Sequence, residues 1–274
     1  MVTHVTAPTA ALLDALPTWV TLLRAPNPGP MTLDGTNTWV LRAGDGEPAI
    51  VIDPGPLDEG HLAAVAAHAP VGRILLTHGH HDHVEGAARL SELLDDAPVS
   101  AVDAAHCLGG GPLDPDQPFS VGGVEVRPLA TPGHTADSVS FRAGVGDDEV
   151  IFSGDSILGR GTTVVAWPDG DLGDYLASLR RLAAQGQVPV LPGHGPALAD
   201  CAAAAAYYLE HRLARLEQVR AARAAGAETA EQVVRIVYAD VDPALWPAAG
   251  WSVRAQLAYL RWESQPASRE LDEL

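Results

Sequence analysis

The sequence predicts an α/β fold with sheets of mixed direction over residues 1–200 and a helical appendage over residues 201–274. Three observations predict it. Short β-rich runs bounded by Pro, Gly, Asn and Asp alternate with amphipathic segments as far as Pro196. Several of those runs follow one another directly, which a wholly parallel sheet does not allow. After Pro196 only helical periodicity remains. A chain of 274 residues, 47% hydrophobic and 19% charged, can bury one large core and a smaller unit beside it. That composition excludes a disordered chain.

The elements read in order as follows. "TWVTLLRA", "NTWVLRA" and "AIVID" are strands. Glu59–Ala69 is an alanine-rich helix, and "RILLT" (Arg73–Thr77) is a buried strand. Val84–Asp96 carries apolar residues at helical spacing and is read as one helix. "APVSAV" is a strand, and Cys107–Pro118 is a Gly/Pro/Asp loop. "VEVRPLA", "SVSFRA" and "EVIFSG" are strands, Leu172–Gly186 is a helix closed by glycine, and "VPVLPGHGP" is a strand and turn. Ala197–Gly226 is one long helix by period. Two more, "TAEQVVRIVYAD" and "SVRAQLAYLRWE", flank "VDPALWPAAGW", and Thr229 with Gln232 forms a capping box at the first of them.

The formal net charge is −18, and all 17 basic residues are arginine. Residues 1–200 hold 25 acids against 9 Arg, while residues 201–274 are nearly balanced at 10 and 8. Such acidity disfavours non-specific binding of polyanions. Cys107 and Cys201 are the only cysteines, so there is no disulfide framework, and both are read as core thiols in a reducing compartment. "AALLDALPTWV" is broken by Asp14 and Pro17 and follows no basic stretch, so it is not read as a signal peptide. No uncharged apolar run spans a bilayer. A cytoplasmic protein with no membrane partner is expected.

Four turns carry metal-ligand side chains. "THGHHDH" supplies His78, His80, Asp82 and His83; "TPGHTADS" supplies His134; "FSGDS" supplies Asp155; "LPGHGP" supplies His194. Each turn sits in or after a strand-like run and contains a glycine that lets the backbone approach a ligand. In a strand-end turn, His78 and His80 converge on one ion, as they would not on a helix. With His134 they make a three-nitrogen site that leaves a position for water. Asp82, His83 and His194 make a second site, and Asp155 is able to bridge the two. Two Zn2+ suit the imidazole donors, and iron or manganese accept the same set. Ions so placed hold a shared hydroxide as nucleophile. Asp82 doubles as ligand and proton acceptor. His81 is read as exposed or substrate-facing, and His4, His61, His68, His106 and His211 as structural or solvated.

These motifs together resemble the metallo-β-lactamase superfamily of His-x-His-x-Asp-His hydrolases over about residues 18–200. The resemblance implies a four-layer αβ/βα sandwich with the metals at one rim. "VIDPG" is similar to the family's first motif, which implies that Asp53 supports the metal loop from behind its ligands. "NPGPMTLDGTNTWV", "FSGDSILGRGTTVV", "LGDYLASLRRL" and "YYLEHRLARLEQV" resemble the β-lactamase-like protein 2 subgroup nearly end to end. That subgroup includes an endoribonuclease acting on single-stranded RNA and has thioesterase relatives. It implies a winged-helix-like C-terminal domain, although "ESQPASRELDEL" carries no wing hairpin signal.

The expected function is a dinuclear metal-dependent hydrolase. Its substrate is read as single-stranded RNA or, alternatively, a small ester or thioester. The acidity argues against RNA, because binding nucleic acid rests on Lys and Arg. A true β-lactamase is disfavoured by the absence of lysine for a drug carboxylate and by Asp155 where many such enzymes place cysteine. A catalytically retired binding protein is disfavoured by the complete donor set. Asn37, Arg160, Thr162 and Thr163 are weak candidates for substrate contacts, and Tyr207, Tyr208 and Trp251 are read as core packing. The helical tail is a candidate substrate wall or homodimer contact.

Overall fold

The computed structural model describes residues 11–115 and 117–265. Strands β1 (Val20–Arg24), β2 (Asn37–Leu41), β3 (Ala49–Ile52), β4 (Val71–Leu75) and β5 (Val99–Ser100) form one sheet in that order. Strands β6 (Phe119–Val121), β7 (Val124–Ala130), β8 (Val139–Val145), β9 (Asp148–Gly154) and β10 (Val190–Pro192) form the second, ordered β10-β9-β8-β7-β6. The pairs β3–β4, β4–β5 and β9–β10 are parallel and the rest antiparallel, so both sheets are mixed as expected.

Alternation along the strands builds the layers. Trp39, Leu41, Ile50, Ile52 and Leu75 face the other sheet and meet Val124, Val126, Phe141, Phe152 and Leu191. Their neighbours Val40, Ala49, Val51 and Ile74 face outward and pack on α1 (Glu59–Ala66) and α3 (Ala87–Leu93). On the second sheet, Ile151 and Val190 face outward onto α4 (Leu172–Ala183) and α5 (Cys201–Ala224). The result is the four-layer αβ/βα sandwich. The core shared by α4 and α5 runs across residue 200 and takes in Cys201, Ala204, Ala205 and Tyr208. Beyond it, the end of α5 packs with α6 (Ala230–Val237) and α7 (Trp246–Glu263) in a separate small core. The Thr229–Gln232 capping box is formed.

Several boundaries differ from the sequence reading, among them α1, which ends at Ala66, and β4, which spans Val71–Leu75. Val84–Asp96 is not one helix: a short α2 (His81–Val84) and α3 are separated at Gly86, whose N–H donates to the Gly55 carbonyl at 2.9 Å. The long helix starts at Cys201, not Ala197. Leu198 pairs with Val190 through two 2.8 Å bonds, and the Asp200 carboxylate caps the Ala203 N–H. α7 begins at Trp246, because a proline in its first turn forfeits no helical bond. Strand β6 follows directly on the Cys107–Pro118 loop, in residues to which the sequence reading gave no element. It pairs with β7 through Gly122 and Gly123, whose φ values of 54° and 82° fit a tight hairpin. Of the stretch tested for a wing hairpin, residues 266–274 lie outside the described residues, as does His4.

Candidate metal centre

Strands β3 and β4 run the same way in one sheet, and β7, β9 and β10 run the same way in the other. Their C-terminal ends deliver Asp53, the His78–His83 turn, His134, Asp155 and His194 to one rim. His80 Nδ1 lies 3.0 Å from both His78 Nε2 and His134 Nε2. Asp82 Oδ2 lies 3.1 Å from His194 Nε2 and 3.4 Å from His83 Nε2. Within each of these two triads the ligand atoms lie within 4.8 Å of one another. Asp155 stands between them: Oδ2 is 3.5 Å from His194 and 3.8 Å from His134, and Oδ1 is 3.6 Å from His83. The seven side chains singled out in the sequence are therefore brought together, and His78, His83 and Asp155 form a third, overlapping set just as close.

Supports behind the donors fix their orientation. Asp53 has φ 52°, a left-handed conformation that aspartate tolerates. Its carboxylate accepts from the Thr77 N–H at 2.8 Å and the Thr77 hydroxyl at 2.7 Å, and lies 2.8 Å from His83 Nδ1. His134 Nδ1 faces the Val164 carbonyl at 2.5 Å and His194 Nδ1 the Gly35 carbonyl at 3.3 Å, which leaves both Nε2 atoms for the rim. The buried Thr36 hydroxyl donates to Asp82 Oδ2 at 3.2 Å, a contact that the sequence did not disclose.

The electrostatics suit cation binding. Burial, with smaller effects from neighbouring histidines, holds His78 well below the usual imidazole range and His134 at about 4. Both are thus neutral donors at neutral pH. Burial also opposes charge on His83, but Asp53, Asp155 and Asp82 outweigh it and raise its pKa. In the same way burial is overcome at Asp82, which His83 and His194 hold at about 2. Asp155 Oδ1 is buried with no hydrogen-bond partner. A buried carboxylate oxygen left unsatisfied is costly unless a cation completes it.

Gly193 keeps that space open. A Cβ there would come within 2.6 Å of Asp155 Oδ1 and 2.7 Å of His83 Cε1. Gly193→Ala is expected to reduce metal content at least tenfold while the protein stays folded, a loss comparable with disturbing a ligand's support. Metal analysis of the dialysed variant beside circular dichroism checks it.

The substrate candidates fare differently. Asn37 is fully buried, and its amide donates to the carbonyls of Pro192 at 3.0 Å and Gly195 at 2.9 Å. It holds the His194 turn and does not face substrate, because both amide hydrogens are already engaged; this corrects the expectation. The Arg160 guanidinium is engaged bidentately by Asp34 at 2.5 and 2.8 Å. Arg160, Thr162 and Thr163 nevertheless line a cavity of about 360 Å³ that includes His134 and Asp155 in its wall. His81 is exposed. Tyr208 is a core residue, Trp251 is exposed, and half-buried Tyr207 stands on the cavity wall. His211, set aside by sequence, stands there too. So do Arg212, Arg215, Tyr238, Val241, Leu245 and Ala248, none of which the sequence marked.

Residues 31–194, which hold every one of these donors, match the metallo-beta-lactamase superfamily. The chain belongs to that superfamily. Residues 229–264 match the beta-lactamase associated winged helix domain, so α6 and α7 are the helices of a metallo-β-lactamase winged-helix unit. The chain is 35% identical over 270 residues to the beta-lactamase-like protein 2 homolog of Drosophila melanogaster, covering 90% of this chain and 89% of that protein. It is 34% identical over 230 residues to an atrochrysone carboxyl ACP thioesterase of Aspergillus chevalieri, covering 79% of this chain and 72% of the thioesterase. A beta-lactamase domain protein from Burkholderia ambifaria superposes with a TM-score of 0.77 at 25% identity, covering 95% of each chain. This superfamily member is thus similar along most of its length to these relatives. Among its described residues, no helix is long and apolar enough to cross a membrane.

Proposed function

We propose that this superfamily member is a cytoplasmic dinuclear metallohydrolase acting on a small carboxylic ester or thioester. The cavity carries this reading. It opens onto His134 and Asp155, and its other wall is largely apolar, with Met31, Leu33, Leu158, Val241 and Leu245. Its volume of about 360 Å³ suits a small acyl group. The net charge of −18 is no obstacle to such a substrate, and the thioesterase relative supports the choice.

On this reading residues 1–200 form the catalytic domain and residues 201–274 the C-terminal one, whose Tyr207, Arg212, Tyr238 and Leu245 close the cavity. His78, His80 and His134 would hold one ion; Asp82, His83 and His194 would hold the other, with Asp155 shared between them. Zinc suits these donors best. Divalent ions bound there would acidify water and polarise the scissile carbonyl. The chain's own part is orientation and proton handling. Asp53, through Thr77 and His83, holds the histidine turn in place. Thr36 aims Asp82, whose carboxylate stays ionised at neutral pH at the rim where water would be activated. So low a pKa makes Asp82 a better ligand than base. Apolar walls exclude bulk water around the acyl chain.

A second reading, phosphodiester hydrolysis of single-stranded RNA, is favoured by the end-to-end similarity to the beta-lactamase-like protein 2 homolog. A panel of metal-replete protein on single-stranded RNA, acyl thioesters, simple esters and a cephalosporin decides between them, with Asp82→Ala as blank. Turnover of a thioester or ester, little changed between 50 and 200 mM salt, is expected. Cleavage of RNA alone, falling steeply with salt, would replace the proposal with the second reading.

A further inference from the structure

Helix α5 buries a stripe at helical spacing: Cys201, Ala204, Ala205, Tyr208, Leu216, Val219 and Ala222. Arg212 and Arg215 fall on that same stripe and are only 3% and 6% exposed. Burying a guanidinium without a counter-charge is costly. Neither arginine lies within ion-pair range of a carboxylate among the described residues, although seven other arginine–carboxylate contacts form, and Asp240 shares the cavity wall. Carbonyls and ring faces offset part of the cost. Arg212 donates to the Thr163 carbonyl and lies 5.2 Å from the Tyr175 ring centre. Arg215 donates to the Val237 carbonyl at 2.5 Å and to Gln218 at 2.9 Å, and lies 4.3 Å from the Tyr238 ring centre. These partners are neutral, and Arg212 Nε is buried with none at all.

Both arginines line the cavity that reaches the metal centre. Arg212 is also linked to that centre through the chain. It holds the carbonyl of Thr163, whose hydroxyl lies 3.3 Å from His134 Nδ1, and the next carbonyl, of Val164, is the one that His134 faces. Beside them His211 stacks on Tyr207 with an interplanar angle of 16°. Burial and the two arginines hold its imidazole at about 4, so it adds no charge at neutral pH. The wall therefore offers two buried positive charges beside apolar Leu33, Leu158, Val241 and Leu245, while Arg160 on the same wall is neutralised by Asp34.

We propose that Arg212 and Arg215 form an anion-binding subsite of the cavity. It receives a carboxylate carried by an otherwise apolar acyl substrate whose scissile carbonyl lies at the metal centre. The winged-helix unit supplies the far wall through Tyr238, Val241 and Leu245, so substrate selection is shared between the two parts of the chain. The position of the scissile bond rests on the hydrolase reading given above; the subsite itself does not.

The test uses the metal-replete protein and two N-acetylcysteamine thioesters of equal size, one of adipate and one of its terminal carboxamide. Wild type is expected to favour the carboxylate at least tenfold in kcat/KM, from charge-assisted hydrogen bonds that the amide cannot make. Arg212→Gln and Arg215→Gln bring that preference to near one, and Arg215→Lys retains part of it. A merely structural role would lower both thioesters together and leave the preference intact, which would overturn the proposal. Equilibrium binding keeps the test independent of turnover. Decanoate is expected to bind wild type at least tenfold tighter than decanamide, with the difference lost in both glutamine variants. The metal centre also attracts carboxylates, but Arg215, bonded to Val237 and Gln218, has no link to its donors, so a difference that persists in Arg215→Gln overturns the subsite. If neither thioester turns over and the decanoate difference still follows the arginines, the reaction assignment fails and the subsite stands. Cleavage of RNA with both thioesters untouched and no decanoate preference overturns both.

Discussion

Asp155→Ala is expected to abolish hydrolysis, with kcat/KM falling by about 10³ or more, as when one member of a unit that acts together is removed. Asp155 is the side chain that reaches both donor groups, standing 3.5 to 3.8 Å from His194, His83 and His134. Truncation removes the shared anion and leaves two unconnected triads. The loss should not come from unfolding. Asp155 is a counter-charge to His83 and His194, so its removal costs the metal-free fold some stability, but it vacates little packed volume. The metal-free variant is expected to unfold cooperatively at a lower temperature than wild type and to stay folded at the assay temperature. Asp155→Asn, which keeps the shape and removes the charge, should be inactive as well. Retained turnover in either variant contradicts the assignment of this carboxylate.

Asp53→Ala is expected to damage stability and metal binding together. Asp53 is 1% exposed and accepts from the backbone and hydroxyl of Thr77 while facing His83 at 2.8 Å. Removing it leaves a buried N–H and a buried imidazole without partners. Breaking a buried charged pair typically costs about 3–5 kcal/mol, and loss of a support behind metal ligands typically costs about 10–100-fold in affinity. Denaturant unfolding of the metal-free variant checks the first, and competition with a chelator checks the second. A variant as stable as wild type that holds metal equally well would show that the turn is held by something other than Asp53.

The two predictions differ in how they were reached. The donors were legible in the sequence because four glycine-containing turns each follow a strand, and a strand end can deliver a side chain to only one rim. Asp53 was legible only through its likeness to a motif: nothing in "VIDPG" discloses that the carboxylate turns back toward Thr77. Sheet direction was legible from strands that follow one another without a helix. Helix ends were legible at the Thr229 capping box and not at two others. The start of α5 depends on Leu198 pairing with Val190, and the break at Gly86 depends on the Gly55 carbonyl. Both are contacts that periodicity does not encode. Arg160 was a candidate for a substrate contact, yet Asp34, 126 residues away, takes its guanidinium. Asn37 failed for a related reason, since the turn it supports lies 155 and 158 residues further on.

Arg212 and Arg215 were in principle legible. Two arginines on the apolar stripe of a long amphipathic helix break the expected pattern, and departures from local consistency concentrate at functional sites. Their meaning was not legible, because it requires the winged-helix unit to fold back over Thr163 and Val164.

The number of divalent ions bound per chain tests the central claim most directly. After expression with zinc, iron and manganese supplied, mass-spectrometric metal analysis of the dialysed protein is expected to find two per chain, falling in Asp155→Ala. A wild-type protein that carries none, and takes up none when titrated with each of the three, would contradict the account.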